Sequence, residues 1–199
     1  MTDWEGRYQS GDTPWDKGGA HPALTALDPF PVAASRILVP GCGLGYDMEV
    51  LSRLPGVQSV VGIDVATTAV SLARERLAGI PSARVEQADL FRLPASHRGA
   101  YDLVWEHTCF CAIDPALRNA YVNAVADALQ PGGHLLAVFY LTPWDTAEEN
   151  ATLGPPFGCT AEELDRRFAP RFELMRAWEP PATYAGREAR EQLRLLRRV

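Results

Sequence analysis

Arg36-Ile37-Leu38-Val39-Pro40-Gly41-Cys42-Gly43-Leu44-Gly45-Tyr46-Asp47 is the stretch whose reading sets the fold. Ile37-Leu38-Val39 is a short apolar run rich in branched side chains, and it stops at Pro40 and a cluster of glycines, as a buried parallel strand does. Glycines at 41, 43 and 45 let the chain turn sharply, and the spacing predicts a helix from about Gly45 to Leu54. A ligand can then approach the main chain closely at a helix N-terminus, which is the setting of a nucleotide-like cofactor site.

Spacing narrows the cofactor. A dinucleotide fingerprint would put its third small residue at position 46, where this chain has Tyr46, so a nicotinamide dehydrogenase is disfavoured. A P-loop needs Gly-Lys-Ser/Thr, which is missing. What remains, G-x-G-x-G, is the form seen in S-adenosylmethionine (SAM)-dependent methyltransferases of the Rossmann-like class; alone it could equally be a tight turn.

Reading downstream, Ser59 to Asp64 is a second strand that ends in a carboxylate. Asp64 lies 19 residues past Gly45, where a strand-end acid reaches ribose hydroxyls. Its competing reading is a helix cap, although Thr67 and Thr68 could do that work for the helix through Leu77. Arg84 to Phe91 is a third strand and its exit; Asp89 there suits an adenine amino group, with Leu90 and Phe91 flanking the ring, or forms a turn of its own. Tyr101 to Trp105 is the fourth strand, and Glu106-His107-Thr108-Cys109-Phe110-Cys111 continues from its carboxyl end, the ligand side of an open sheet.

Asp114-Pro115 starts a helix to about Leu129, ended by Pro131-Gly132-Gly133. His134 to Tyr140 is an apolar fifth strand, and Thr142 to Gly158 is a loop. Thr160-Ala161-Glu162-Glu163 resembles a capping box, and two terminal antiparallel strands are predicted over 172–178 and 191–198. Alternating strands and helices give an α/β, doubly wound, mostly parallel seven-stranded sheet with an antiparallel terminal strand.

Upstream, Trp4 to Pro22 is too rich in Gly and Pro for a long helix but carries Trp4, Tyr8 and Trp15. Such a segment is either a strap covering the core edge or a lid over a ligand, and composition alone favours the former slightly. The organisation expected is one domain over 1–199, with a strap over 1–30 and a Rossmann-like core over 36–199.

Composition sets outer bounds. With 199 residues, 47% of them hydrophobic and 22% charged, the chain suits one globular α/β domain. No apolar run is long enough for a bilayer, and Trp4, Glu5 and Arg7 do not make a signal peptide, so no membrane partner and a cytoplasmic location are expected. A net charge of -6 disfavours nucleic-acid partners. The arginines at 187, 190, 194, 197 and 198 are read as a solvated face on a terminal strand. Cys42, Cys109, Cys111 and Cys159 lack zinc-site spacing, so no metal is expected; Cys109 and Cys111 would share one face if they lay in a strand.

With these residues assembled, the chain resembles the thiopurine methyltransferase superfamily, most closely its halide/thiol methyltransferase branch, over nearly its whole length. The segments that carry the likeness are Trp4 to Asp16, Leu38-Val39-Pro40-Gly41-Cys42-Gly43, Val61-Gly62-Ile63-Asp64, Cys111-Ala112-Ile113, Gly154-Pro155-Pro156 and the basic stretch after Gly186. The resemblance implies SAM as cofactor and S-adenosylhomocysteine as product. It implies that Trp4, Tyr8 and Trp15 cover the cofactor, that Gly41, Gly43 and Gly45 line its methionine part, that Asp64 holds the ribose and that Asp89 and Leu90 hold the adenine. His107 matches a cofactor-contacting aromatic position. Tyr8 and His107 depart from the Trp and Tyr of the plant branch, and Cys109 replaces an aromatic residue.

The implied reaction is in-line methyl transfer to a small soft nucleophile: a thiol, hydrosulfide or halide. A thiol, with a pKa of about 8.5, is partly ionised near neutrality and a halide has no proton, so no strong base is required, in keeping with the lack of an obvious acid/base dyad. His107 and Glu106 are the candidate bases. Trp15, Cys109, Tyr140 and Trp144 are the candidate acceptor wall. An oxygen- or nitrogen-directed methyltransferase and a non-catalytic SAM-binding module are the alternatives. A monomer or weak dimer acting on a small molecule is expected.

Overall fold

In the computed structural model, which describes residues 2–199, the first element is a helix, α1 (Trp4–Ser10). Asp3 accepts a hydrogen bond from the Gly6 amide at its start, and Gly11, at φ +74°, ends it in the left-handed conformation. The strap is thus helical for seven residues before the Gly/Pro-rich turns that limit its length. Then come α2 (Pro22–Ala26), β1 (Arg36–Pro40), α3 (Tyr46–Leu51), β2 (Ser59–Asp64), α4 (Thr67–Leu77), β3 (Ala83–Gln87) and β4 (Tyr101–His107). The chain continues through α5 (Arg118–Ala128), β5 (Leu129–Tyr140), α6 (Ala147–Thr152), α7 (Ala161–Phe168), β6 (Phe172–Trp178) and β7 (Glu191–Arg198).

The seven strands lie in the order β3-β2-β1-β4-β5-β7-β6. All neighbours are parallel except β7, which runs antiparallel to both β5 and β6. β1 is central and buried from Ile37 to Pro40, as its apolar run predicts. Two apolar layers cover the sheet. One joins Leu38, Val104 and Phe139 to Tyr121, Val125, Leu164 and Phe168 of α5 and α7. The other joins Ile37, Val39 and Trp105 to Met48, Val70 and Leu77 of α3 and α4. Gly62 is where the second layer is tightest: a Cβ there would stand 2.3 Å from Met48 Sδ.

Local readings needed correction in four places. Asp114 caps a short 3₁₀ turn, Pro115–Leu117, and α5 proper begins at Arg118. β5 starts at Leu129, running through Pro131-Gly132-Gly133 with a shift in register between Tyr101 and Leu103 of β4. The 142–158 loop contains α6, whose start is a full capping box between Thr146 and Glu149. The basic stretch is a solvated face only in part: Arg197 is exposed, but β7 sits inside the sheet, Arg194 is 2% exposed and pairs with Asp165, and Arg187 is buried and pairs with Glu191.

Candidate active site

The glycine loop leaves β1 with Gly41, Gly43 and Gly45 at φ +59°, +52° and +79°. L-residues rarely adopt this region, so the turn requires glycine. The three differ in what surrounds them. A Cβ at Gly41 would stand 3.0 Å from Cys109 Sγ, and one at Gly43 would stand 3.1 Å from Tyr8 Oη. One at Gly45 would press on Leu77 Cδ1 at 3.0 Å and Ala73 Cβ at 3.3 Å. Gly41 and Gly43 therefore face the site, while Gly45 lets α4 pack against the loop.

Asp64 ends β2 beside this loop. Its carboxylate accepts from the Gly43 amide at 3.0 Å and the Ala66 amide at 2.9 Å, tying loop and strand end together. Burial raises its pKa above the usual carboxylate range, and these amides pull it back only in part. Asp89 accepts from the Phe91 amide at 2.9 Å, so it does form the turn-type cap, over Leu90–Arg92. Beside it, Leu90 is buried in the core and Phe91 is 38% exposed.

Above the loop lies the aromatic strap. Trp15 meets Trp4 edge-on at 5.3 Å and Tyr8 at 5.6 Å, and its indole N–H donates to Tyr8 Oη at 3.2 Å. The Arg7 guanidinium lies 4.5 Å from the Trp15 ring. Glu5 fastens the strap to α4 by accepting from the Thr68 amide at 3.0 Å and its hydroxyl at 2.7 Å, completing the N-terminus of that helix.

At the carboxyl end of β4, alternation sends Glu106 and His107 to opposite faces. Glu106 is fully buried, accepts from the Phe110 amide at 2.8 Å and takes a short hydrogen bond from the Tyr121 hydroxyl. Burial raises its pKa. It fixes the following turn and is no longer a candidate base. That turn passes through Thr108 at φ +60°, a strained setting for a β-branched residue, and enters the 3₁₀ segment Phe110–Ala112. Cys109 and Cys111 are therefore not on one strand face: Cys109 packs on Gly41, whereas the Cys111 thiol donates to the Thr108 carbonyl at 3.3 Å. Burial pushes both thiols well above their ordinary pKa.

His107 is where sequence reasoning missed most. Its Nδ1 lies 2.7 Å from Asp47 Oδ2, in the first turn of α3. Asp47 also accepts from the Trp105 indole at 2.7 Å and the His21 amide at 2.8 Å. Burial alone would raise its pKa, but His107 and these donors outweigh that and hold it below the usual range. The His107 ring stacks on Tyr184, with centroids 5.8 Å apart, and meets His21 edge-on at 4.6 Å. His21 in turn bonds Glu191 through Nε2 at 3.0 Å, and Glu191 also accepts from Thr183 and Arg187. The Tyr184 hydroxyl donates to the Gly19 carbonyl at 2.8 Å.

Tyr140 ends β5 under the Arg187 guanidinium, 4.5 Å away. Trp144 is elsewhere: its indole donates to the Pro156 carbonyl at 2.9 Å, and it lines a cleft of about 730 Å³ with Arg118, Asn150 and Thr160. None of Trp15, His107, Cys109 or Tyr140 borders that cleft. Among the described residues no group of three or more His, Cys, Asp or Glu is arranged to hold a metal ion, and no helix is long and apolar enough to cross a membrane.

A sheet in this order with one antiparallel strand, and a glycine loop and strand-end acid at its centre, is the fold of the class I SAM-dependent methyltransferases. Solved structures agree on the fold. The N-methyltransferase NodS from Bradyrhizobium japonicum WM9, in complex with S-adenosylhomocysteine, superposes with a TM-score of 0.73 at 19% identity, covering 97% of this chain and 95% of that one. A structure described under the conversion of a disulfide bond into a thioacetal group during echinomycin biosynthesis gives 0.77 at 23% identity, covering 98% and 90%.

Residues 1–192 match the family model for thiopurine S-methyltransferase, and the chain belongs to that family. Thiocyanate methyltransferase 1 of Brassica oleracea is 31% identical over 196 residues, 96% of this chain and 82% of that protein. Probable thiol methyltransferase 2 of Arabidopsis thaliana is 29% identical over 195 residues, with the same two coverages. The protein is a SAM-dependent methyltransferase.

Proposed function

We propose that this methyltransferase acts on a small soft nucleophile, a thiol, hydrosulfide or halide, with one domain over 1–199 whose strap forms the lid. The observation that carries the reading is the convergence of two walls on the glycine loop, Tyr8 over Gly43 and Cys109 over Gly41. The loop fits the cofactor for the same reason: a side chain at either glycine would fill the cradle. Gly41 and Gly43 would border the methionine part and Asp64 the ribose; Asp89 and Leu90 would border the adenine, with Trp4, Tyr8, Trp15 and His107 around them. SAM, when bound, supplies a methyl group on a positively charged sulfonium.

What the chain contributes is positioning and exclusion of water. Trp15, Cys109 and Tyr140 would wall the acceptor side; Trp144, in its separate cleft, is left out of this set. Cys109 is half-buried and offers a polarisable thiol in place of a strong hydrogen-bond donor, which suits a soft, weakly hydrated nucleophile better than a hard oxygen anion, since stripping water from the latter costs more. The names of the plant relatives, which specify thiol and thiocyanate, support the same acceptor class.

The test is S-adenosylhomocysteine formation with a panel of iodide, thiocyanate, hydrosulfide, alkyl and aryl thiols, and phenols. Turnover of thiols or iodide but not phenols is expected. Turnover of phenols alone would replace this reading with an oxygen-directed one. Tight SAM binding with no turnover would favour a binding module.

A further inference from the structure

Resting on that reading, we propose that Asp47 and His107 form a proton-accepting pair that suits the site to protic sulfur acceptors, thiols and hydrosulfide, with His107 as the base and Asp47 as its positioning residue. Geometry fixes the tautomer. Asp47 has only acceptor oxygens when ionised, and it already receives the Trp105 indole and the His21 amide. The 2.7 Å contact therefore requires the proton of neutral His107 to sit on Nδ1. Nε2 then carries the lone pair, and among the described residues no hydrogen bond engages it. The Tyr184 stack and the His21 edge hold the ring plane, and the side chain keeps 17% of its exposure, a route by which the proton can leave to water.

The groups around the ring come from four elements. From α3 comes the carboxylate of Asp47. From the segment before α2 comes His21, whose Nε2–H serves Glu191 and whose Nδ1 accepts the Ala23 amide at 3.2 Å, so this neighbour is neutral. From β7 comes Glu191, already matched by Arg187. From β4 comes Glu106, on the opposite face against Tyr121, and Tyr184 presents its ring. Among the described residues, Asp47 is thus the one carboxylate hydrogen-bonded to the His107 ring. In the step, the S–H bond breaks and its proton passes to Nε2. The sulfur electron pair forms the new S–CH3 bond, and the pair of the sulfonium C–S bond leaves with the departing thioether.

The test has two arms. In the ligand-free protein, nitrogen NMR shifts of His107 should report the Nδ1–H tautomer; an Nε2–H tautomer would overturn the proposal without any turnover being measured. In the second arm, kcat/KM is compared for alkyl thiols and for more acidic aryl thiols that are ionised at the assay pH. Asp47→Asn should lower the alkyl-to-aryl ratio on the order of tenfold, less than the roughly 100- to 10,000-fold of a general base itself, because Asp47 acts through His107. If that variant does not fold, His107→Gln serves in its place, with a loss in that larger range expected. Equal losses for both thiol types would overturn the pair and leave sulfur methylation standing. Turnover of no thiol by the native protein would overturn the methyl-acceptor reading, and this proposal with it.

Discussion

Around β1 to β3 the site is made of main-chain amides and isolated acids, each set by its immediate neighbours, whereas at the ends of β4, β5 and β7 it is made of side chains drawn from residues 21, 47, 107, 184 and 191. The first region depends on backbone conformation: glycines at positive φ and a carboxylate bridging loop and strand. The second depends on buried polar groups satisfying one another, where the loss of any partner strands another away from water. The first kind of construction is fixed locally along the chain, and the second only once distant segments meet.

The largest effect should come from the second region. Glu106→Ala leaves the Phe110 amide and the Tyr121 hydroxyl without a partner and opens a cavity, so a loss of about 3 kcal/mol in denaturant unfolding is expected. Glu106→Gln should cost far less, and equal costs would break the contrast. In the first region, Asp64→Ala should weaken SAM binding by about 100-fold, the scale of hydrogen bonds to a charged group. Near-unchanged affinity by calorimetry would remove Asp64 from the ribose role.

Acid separates the regions further. Burial lowers the pKa of His21 below its ordinary 6.5, so the unfolded chain binds a proton there first and stability should fall as pH drops below about 6.5. Burial would raise Glu191, but its hydrogen bonds from His21, Thr183 and Arg187 win and hold it at about 2 against 4.5. The stability it supplies is whole above 4.5 and lost as pH falls toward 2. Unfolding midpoints followed from pH 7 downward should show both losses, and Glu191→Gln should flatten the lower one. The smallest effect is Asp89→Asn, which keeps the cap but weakens an adenine acceptor; SAM affinity should drop about three- to tenfold. No change would leave Asp89 as a turn residue alone.

What was legible in the sequence follows the same division. The succession of strands and helices, the glycine loop and Asp64 rest on periodicity and on contiguous motifs, and both terminal strands fall over the predicted residues. Spacing does not announce that Gly45 also answers a packing demand, since a Cβ there would press on Leu77. Thr-Ala-Glu-Glu occurs twice, at 146–149 and 160–163; both start helices, and the first, which lies in the predicted loop, is the complete capping box. In the second, Glu163 turns away to Arg118 and Arg167 instead. Asp47 was present in the opening motif but had no visible role, because its partners lie 26, 58 and 60 residues away. The burial of Arg187 and Arg194 is not legible locally, because nothing near them announces that β7 is inserted between two strands.

That insertion has a consequence during synthesis. β6 pairs only with β7, so as the chain emerges from the ribosome β6 precedes the one strand that can hold it, and β5 keeps an open edge. The glycine loop, Asp64 and Asp89 are all translated before this point, while Tyr184 and Glu191 arrive last. Translation thus imposes an order of assembly in which the glycine loop and the two strand-end acids are built first and the cluster around His107 closes with β7.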